Sequence, residues 1–386
     1  MNILYISRSV FPYGAAYASR VLHFSKLLNE LGHSVHVISD YTAEDWVSKD
    51  TSVDMGFCTY QAIYGTPTLK RRLQLNRKRC QCVKQYLENT DVEYIITNSF
   101  PFDYYKMKKL MDKKNIPYAI ELCEWFDSSN YKFGKADFRY KINERAMRKK
   151  YTKENRIIAI SRLLQNYYQS FNVNCIRIPT ILDINEFQYS YEKQNDKLTF
   201  MYAGSPGKSK ELLKEIFEAI KNLKEKIENL SDIFCFDIYG VNEKQILLNI
   251  GEDKILFDDV KDSVQIHGKV KQELMNEIYL KHDFSIFLRP QRKSSAAGFP
   301  TKLAESFAAG TPVITNNTGD ISLYIQNFQN GIMLENNAGA IEQLINQLLL
   351  MDKDEYVLMR KLARTTAVQC FDYRLYMKGL STLLKV

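Results

Sequence analysis

The sequence predicts an α/β protein made of two doubly wound parallel-sheet domains. Three observations carry this expectation. At 386 residues the chain exceeds what one hydrophobic core usually supports, so two domains of about 150 to 200 residues each are expected. Its first forty residues alternate strand, helix and strand, the pattern of a βαβ unit whose right-handed crossover makes a parallel sheet. Near residues 183–197 the chain turns polar and loses apolar periodicity, as a surface linker does, and the alternation then restarts.

In the first forty residues, apolar Ile3 to Ile6 form the first strand, Pro12 and Gly14 lie in a loop, a helix runs from about Ala16 to Leu31, and Val35 to Ile38 form the next strand. Gly32 sits where a helix end favours a left-handed residue. Further strands are expected at Tyr94 to Thr97, Tyr118 to Leu122 and Arg156 to Ile160. Beyond the linker, strands are expected at Leu198 to Ala203, Phe234 to Tyr239, Val264 to His267, Phe284 to Leu288 and Pro312 to Thr315. Helices are expected at Lys210 to Asn229, Gln272 to Tyr279 and Thr301 to Ala309. Domains at 1–185 and 196–370 follow, with residues 371–386 left over. Self-similarity at 20 to 50 residues, the mark of a solenoid, is missing.

Composition narrows the function classes. Hydrophobic residues make up 45% and charged residues 25%, which excludes disordered, collagen-like and coiled-coil chains. Apolar runs stop short of the roughly 18 to 20 residues a spanning helix needs, and the N-terminus lacks the basic, apolar and small-residue order of a signal peptide. A cytoplasmic location is expected. Seven scattered cysteines without a C-x-x-C pair read as free thiols. The net charge of +8 concentrates at Lys70, Arg71, Arg72, Arg77, Lys78 and Arg79, and at Lys106, Lys108, Lys109, Lys113 and Lys114. These stretches are either solvated helix faces or a surface drawn to anionic membrane. They carry no stacking aromatics and no nucleic-acid module, so nucleic acid is not an expected partner.

Open parallel sheets bind ligands beyond the carboxyl ends of their strands, which directs attention to four loops. The first, residues 7–16, leads through Gly14 into a helix start, where backbone amides can meet a phosphate; a plain tight turn explains it equally well. The second, Gly204-Ser205-Pro206-Gly207-Lys208-Ser209-Lys210, puts lysines at a helix start, unfavourable for stability and useful to a diphosphate. Its spacing is not that of a P-loop. The third runs from Arg289 through Gly298-Phe299-Pro300-Thr301 into a helix that carries Glu305 on an apolar face and ends at Gly310-Thr311-Pro312. A carboxylate placed there needs donors, either ribose hydroxyls or a buried cation. The fourth is the polar turn Asn316-Asn317-Thr318-Gly319-Asp320.

Together these residues resemble the donor site of GT-B glycosyltransferases, in particular the retaining, family 4-like group 1 enzymes that build bacterial surface polysaccharides and glycolipids. The likeness spans nearly the whole chain. It rests on Gly14, on Gly204 with a following lysine, and on His267-Gly268-Lys269-Val270. Most specifically, it rests on Gly298-Phe299 before Lys302-Leu303-Ala304-Glu305 and Gly310-Thr311-Pro312-Val313-Ile314. The resemblance implies two Rossmann-like domains facing a cleft, with the segment after Phe371 crossing back onto the first. It implies that Glu305 binds the ribose, that Leu303 and Ala304 offer amides to the diphosphate, and that Lys208, or alternatively Lys210, neutralises it. Gly14 would let the first domain close, and Val270 would lie beside the base. It further implies a nucleotide diphosphate sugar as donor, a saccharide or lipid-linked saccharide as acceptor, and no metal or other cofactor; the basic stretches of the first domain add an expected peripheral association with the inner face of an anionic membrane.

Two departures touch the donor sugar. Ala297 stands where the family often has Glu, and Ser205 where Arg commonly follows the glycine. Arg289, Arg292 and Lys293 are the nearest substitutes for the missing charge. On the acceptor side, Glu121-Leu122-Cys123-Glu124-Trp125-Phe126-Asp127 ends a strand with three carboxylates and an indole. Glu124 and Asp127 are candidate acids beside the acceptor hydroxyl, with Asn98 and Trp125 as acceptor contacts; helix-start acids and a core aromatic are the alternative. His23, His33, His36 and His282 read as structural. Rival readings are a catalytically inert partner subunit of the same fold and a nucleotide-sugar epimerase.

Overall fold

A computed structural model describes residues 1–14, 16–41, 53–64, 69–98, 104–192 and 196–385. The chain divides into two compact units, one of Met1–Leu182, Ala296–Phe299 and Asp372–Val386, the other of Asp183–Ser295 and Pro300–Phe371.

The first unit holds an eight-stranded sheet of β1 (Asn2–Val10), β2 (Ser34–Tyr41), β3 (Val53–Asp54), β4 (Thr59–Tyr64), β5 (Tyr94–Asn98), β6 (Tyr118–Leu122), β7 (Arg156–Ala159) and β8 (Asn174–Arg177), in the order β3-β4-β2-β1-β5-β6-β7-β8. Every pairing is parallel except β3 with β4. Residues Ile3 to Ser7 of β1 are all buried, as a central parallel strand covered on both faces requires. Helices α1 (Ala16–Glu30), α2 (Leu69–Asn89), α3 (Tyr104–Lys114), α4 (Phe138–Arg145) and α5 (Arg162–Gln169) accompany it. Gly32 (φ +79°) closes α1 as expected. His33 N donates to Leu28 O at 3.1 Å and Gly32 N to Asn29 O at 2.8 Å, a Schellman cap that only a residue tolerant of positive φ can make cheaply.

The second unit holds a six-stranded parallel sheet of β9 (Leu198–Ala203), β10 (Phe234–Tyr239), β11 (Val264–Gly268), β12 (Phe284–Phe287), β13 (Val313–Thr315) and β14 (Gly331–Met333), in the order β11-β10-β9-β12-β13-β14. Around it lie α6 (Lys214–Lys224), α7 (Leu230–Ile233), α8 (Glu243–Asn249), α9 (Lys254–Val260), α10 (Met275–Lys281), α11 (Lys293–Ala297), α12 (Thr301–Ala308), α13 (Ala338–Leu349) and α14 (Lys353–Cys370). Phe200 anchors the core, with its ring 5.2 Å from Phe234 and 5.8 Å from Phe284. All three are buried, and truncating one to alanine costs about 3–5 kcal/mol.

After α14 a short 3-10 turn, Tyr373–Tyr376, and α15 (Met377–Leu384) return to the first unit. Tyr373, Leu380, Leu383 and Leu384 join the core formed by Phe24, Leu27 and Val35, and Tyr373 N donates to Leu182 O at 3.0 Å.

Two sequence expectations change, and one strand is new. The helix expected from Lys210 begins at Lys214, because Lys210 N and Glu211 N turn back to Pro206 O and Leu212 N reaches across to Leu288 O at 2.9 Å. It ends at Lys224, before left-handed Asn229 (φ +59°). β14 is not among the expected strands; its Gly331 serves a close backbone approach, since a Cβ there would lie 2.9 Å from Val313 O. Finally, the basic stretch from Lys70 is not wholly solvated: Arg79 is buried and Nε donates to Asp40 Oδ1 at 3.0 Å. Among the described residues no helix is long and apolar enough to cross a membrane.

Candidate functional site

Strand order in the second sheet reverses between β9 and β12. From β9 the chain builds outward through β10 and β11, and from β12 through β13 and β14. Crossovers on the two sides leave by opposite faces, so a crevice opens beyond the carboxyl ends of β9 and β12. The loops there are residues 204–213 and 288–292, followed by the start of α12.

A floor of bare backbone lines this end of the sheet. Gly204 (φ +138°) donates its amide to Tyr239 O at 3.0 Å, and Gly240 (φ +96°) donates to Gly268 O at 2.6 Å. A Cβ on Gly240 would come within 2.8 Å of Gly204 O, which only a shift of backbone could relieve. Gly204 and Gly268 are readable as site glycines in the sequence; Gly240, which makes their close approach geometrically feasible, is not.

The loop after Gly204 is held by Asn249, whose Nδ2 donates to Gly207 O and Glu211 O at 2.9 Å each. Ser205, Lys208 and Lys210 are exposed on it. Arg292 reaches the same loop, with a guanidinium nitrogen 3.2 Å from Ser209 Oγ. Arg289 is instead buried; one guanidinium nitrogen donates to Ser295 O at 3.1 Å, and Asn316 clamps its backbone through bonds of 2.8 and 2.7 Å. Of the candidate substitutes for the missing arginine, Arg292 meets this loop.

Beneath Gly204 lies an ion pair that the sequence expectations omit. Lys302, in the first turn of α12, places Nζ 2.6 Å from Glu211 Oε2, with side chains 13% and 5% exposed. Tyr202 also donates its hydroxyl to Glu211 Oε2, and the ammonium stands 4.1 Å from the centre of the Tyr202 ring. A Cβ on Gly204 would sit 3.2 Å from Nζ. Burial pulls the Lys302 pKa down and Glu211 opposes this, while the charges of Lys210 and Arg289 lower it further. Burial also works against ionised Glu211, but Lys302, Tyr202 and Lys210 outweigh it and keep its pKa below the usual range. Two sequence signals mark the pair: a lysine in a helix's first turn, where the dipole is already positive, and an acid beside the glycine loop.

Glu305 follows Lys302 by three residues on α12, so the two share a helix face. Tyr279 of α10 offers its hydroxyl to Oε2 at 3.4 Å. That bond is long, and burial lifts the carboxyl to about 7 despite the opposing effects of Tyr279 and Lys302. The start of α12 has no side-chain cap, leaving the first amides of the helix to another acceptor. Leu303 N, expected to face the diphosphate, donates instead to Pro300 O at 3.1 Å, as its place in the first turn dictates; Ala304 is buried one residue on.

At the outer edge, Asp237 accepts from His267 Nε2 at 2.6 Å and His282 Nε2 at 2.9 Å. Burial resists its ionisation, yet the two imidazoles hold it below the ordinary range. His267 stacks on Tyr239 with centroids 4.4 Å apart, and Val270 is half-buried beyond Gly268. His282 has the structural role expected of it.

In the first unit, Gly14 (φ +105°) lies in the loop after β1. Asn98 ends β5 with Oδ1 buried and without a partner among the described residues; Ser99, Phe100 and Pro101 lie outside them. The acidic segment after β6 requires correction. Glu121 is core, accepting from Arg20 Nε at 2.6 Å and from the hydroxyls of Tyr5 and Tyr17. Trp125 is 3% exposed, donates Nε1 to Glu144 at 2.7 Å and packs edge-on against Tyr167, so it is a packing residue rather than an acceptor contact. Asp127 caps the 3-10 turn Ser128–Asn130, accepting from Ser129 N at 2.9 Å. Glu124 remains exposed. Residues 296–299 group with this unit, where Ser161 Oγ donates to Ala297 O at 2.7 Å; Gly298 and Phe299 are buried.

This second-unit arrangement has a counterpart among known families: residues 183–365 match the family described as glycosyl transferases group 1. The chain has the GT-B fold. Solved structures similar to this chain include sucrose-phosphate synthase from Thermosynechococcus elongatus, at TM-score 0.76 and 14% identity, covering 99% of this chain and 98% of that one. A glycosyltransferase from Rickettsia africae is similar at TM-score 0.69 and 15% identity, covering 99% and 98%. HepE of Anabaena, in complex with UDP and glucose, is similar at TM-score 0.66 and 13% identity, covering 100% and 99%. No curated protein sequence matches the chain.

Proposed function

We propose that this glycosyltransferase binds a nucleoside diphosphate sugar on its second unit and passes the sugar to a saccharide or lipid-linked saccharide in cell-surface polysaccharide synthesis. The observation that carries the reading is the content of the β9/β12 crevice: a glycine floor, Lys210 on the overlying loop with Arg292 reaching it from the loop after β12, an uncapped helix start, and Glu305 on that same helix. Cations and helix amides suit a diphosphate. A carboxylate short of donors suits the ribose hydroxyls. Similar structures with UDP and glucose bound favour the same ligand class.

In the proposed reaction the bond between the anomeric carbon and the diphosphate breaks and the acceptor hydroxyl oxygen forms the new bond, with retention. The electron pair stays on the departing diphosphate, which also takes the hydroxyl proton. Fixed positive groups stabilise the charge that develops there, so a metal ion is not needed. Lys208 and Lys210 are the proposed screening charges, and Glu124 is the remaining acid proposed for the acceptor side. Peripheral association with anionic membrane is part of the proposal; exposed Phe133 and Phe138 beside Lys132, Lys135 and Lys141 give the first unit an aromatic and cationic surface suited to it.

The test is transfer by the purified chain. Incubation with UDP-glucose, UDP-galactose, UDP-N-acetylglucosamine or GDP-mannose and a membrane lipid extract should yield a glycosylated lipid or saccharide with one donor. Donor hydrolysis or epimerisation without any acceptor product would contradict the reading. A second reading, an inert partner subunit, draws on Ala297, whose site offers a carbonyl already bonded to Ser161 in place of a carboxylate; transfer by the chain alone excludes it.

A further inference from the structure

The Lys302–Glu211 pair has no counterpart among the screening lysines of the 204–210 loop. It is buried, it stands directly under Gly204, and it joins two segments that enter the crevice from different strands, one after β9 and one after β12. Burying an ion pair gains little stability by itself, since desolvation offsets the attraction. The pair also crowds like charges, because Lys210 and Arg289 both act on Lys302. A folding role alone does not explain a cation placed among cations at a ligand-binding strand end.

We propose that Lys302 is a diphosphate-contacting residue of the donor site and that Glu211 competes with the diphosphate for its ammonium group, setting donor affinity and easing release of the product nucleotide. The inference rests on the donor-site reading above. Its geometry is specific. An ammonium has three hydrogens to donate; one points to Glu211 Oε2 at 2.6 Å, and the Tyr202 ring face at 4.1 Å shields one side. Nζ lies 3.2 Å from where a Cβ on Gly204 would stand, so the missing side chain of Gly204 leaves that direction unobstructed. A phosphate oxygen arriving over Gly204 meets Lys302 without any movement of the backbone. Glu211 is held by Tyr202 as well as by Lys302, so its carboxylate keeps a donor when the lysine turns toward the phosphate. Bond order is unchanged throughout: the step exchanges one acceptor for another and moves no proton.

The experiment is calorimetric titration of the full chain at pH 8 with UDP, GDP and ADP, each beside its nucleoside. It is run on wild type, Lys302→Met, Glu211→Gln and the double variant. Lys302→Met is expected to weaken the bound diphosphate about 10- to 100-fold, the scale of one charged hydrogen bond, and to leave nucleoside affinity unchanged. Glu211→Gln is expected to tighten diphosphate binding several-fold, and the double variant to lose that gain. The double variant also removes both buried charges, so it keeps the test meaningful if Lys302→Met alone fails to fold. Equal weakening of diphosphate and nucleoside, an unchanged diphosphate affinity in Lys302→Met, or no tightening in Glu211→Gln would overturn the proposal. A wild type that binds none of the three diphosphates would instead overturn the donor-site reading itself.

Discussion

Glu305→Gln keeps the shape of the side chain and removes its charge, which separates stability from binding. Burial raises this carboxyl from 4.5 to about 7. The difference corresponds to about 3 kcal/mol at most, and to about 2 kcal/mol once residual exposure is allowed for. Because folding raises the pKa, the folded protein holds this proton more tightly than the unfolded chain does. The penalty is therefore absent below pH 4.5, grows as pH rises through about 7, and is complete above it. Glutamine has no such penalty. The variant should be more stable than wild type at pH 8 by about 2 kcal/mol, a few degrees in melting temperature, and equal to it near pH 4. Nucleotide binding should move the opposite way, because ribose hydroxyls donate best to an ionised carboxylate, and the variant should bind about 10- to 100-fold more weakly at pH 8. Wild-type affinity should rise about tenfold between pH 6 and pH 8 as Glu305 loses its proton, and the variant's should not, beyond the nucleotide's own titration. Calorimetric melts and titrations at pH 4, 6 and 8 measure both. Equal stability at pH 8, or undiminished binding by the variant, would refute the argument.

Other outcomes follow from the same geometry. Gly204→Ala places a Cβ 3.2 Å from Lys302 Nζ at φ +138°, so it should cost about 1–3 kcal/mol of stability and reduce nucleotide affinity together; an unaltered melt and titration would contradict the close approach. Arg20→Met leaves the Glu121 carboxylate buried without its cation and should destabilise the protein by about 3–5 kcal/mol in denaturant titration, whereas a shift below 1 kcal/mol would make the network incidental. Transfer should continue at an unchanged rate in EDTA if lysines, arginines and helix amides do the screening; activity lost in EDTA and restored by Mg²⁺ would contradict the metal-free proposal.

The strands that set the fold were legible because they are long or continuously apolar. Leu198–Ala203 and Phe234–Tyr239 read directly from sequence. Two- to four-residue strands such as β3, β8 and β14 carry too little periodicity, and β14 opens on a glycine whose purpose, contact with Val313 O, is tertiary. Within the site, Gly204, Gly268 and Glu305 announce themselves locally, as glycines at strand ends or as a charge on an apolar helix. Lys302 and Glu211 are distant in sequence and become intelligible only as a pair. Trp125 shows the opposite error: an aromatic between acids looks like a ligand contact, but Glu144, Arg148 and Tyr167 enclose it.

The central claim is tested most directly by thermal shift of the purified chain with UDP, GDP, ADP, CMP, TDP and NAD, beside Glu305→Ala and Lys208→Ala. A ligand that binds only the folded state raises its melting temperature by mass action. The account predicts stabilisation of the wild type by one nucleoside diphosphate and its loss in Glu305→Ala. Wild type unmoved by every nucleotide, or a shift that survives in Glu305→Ala, would contradict it.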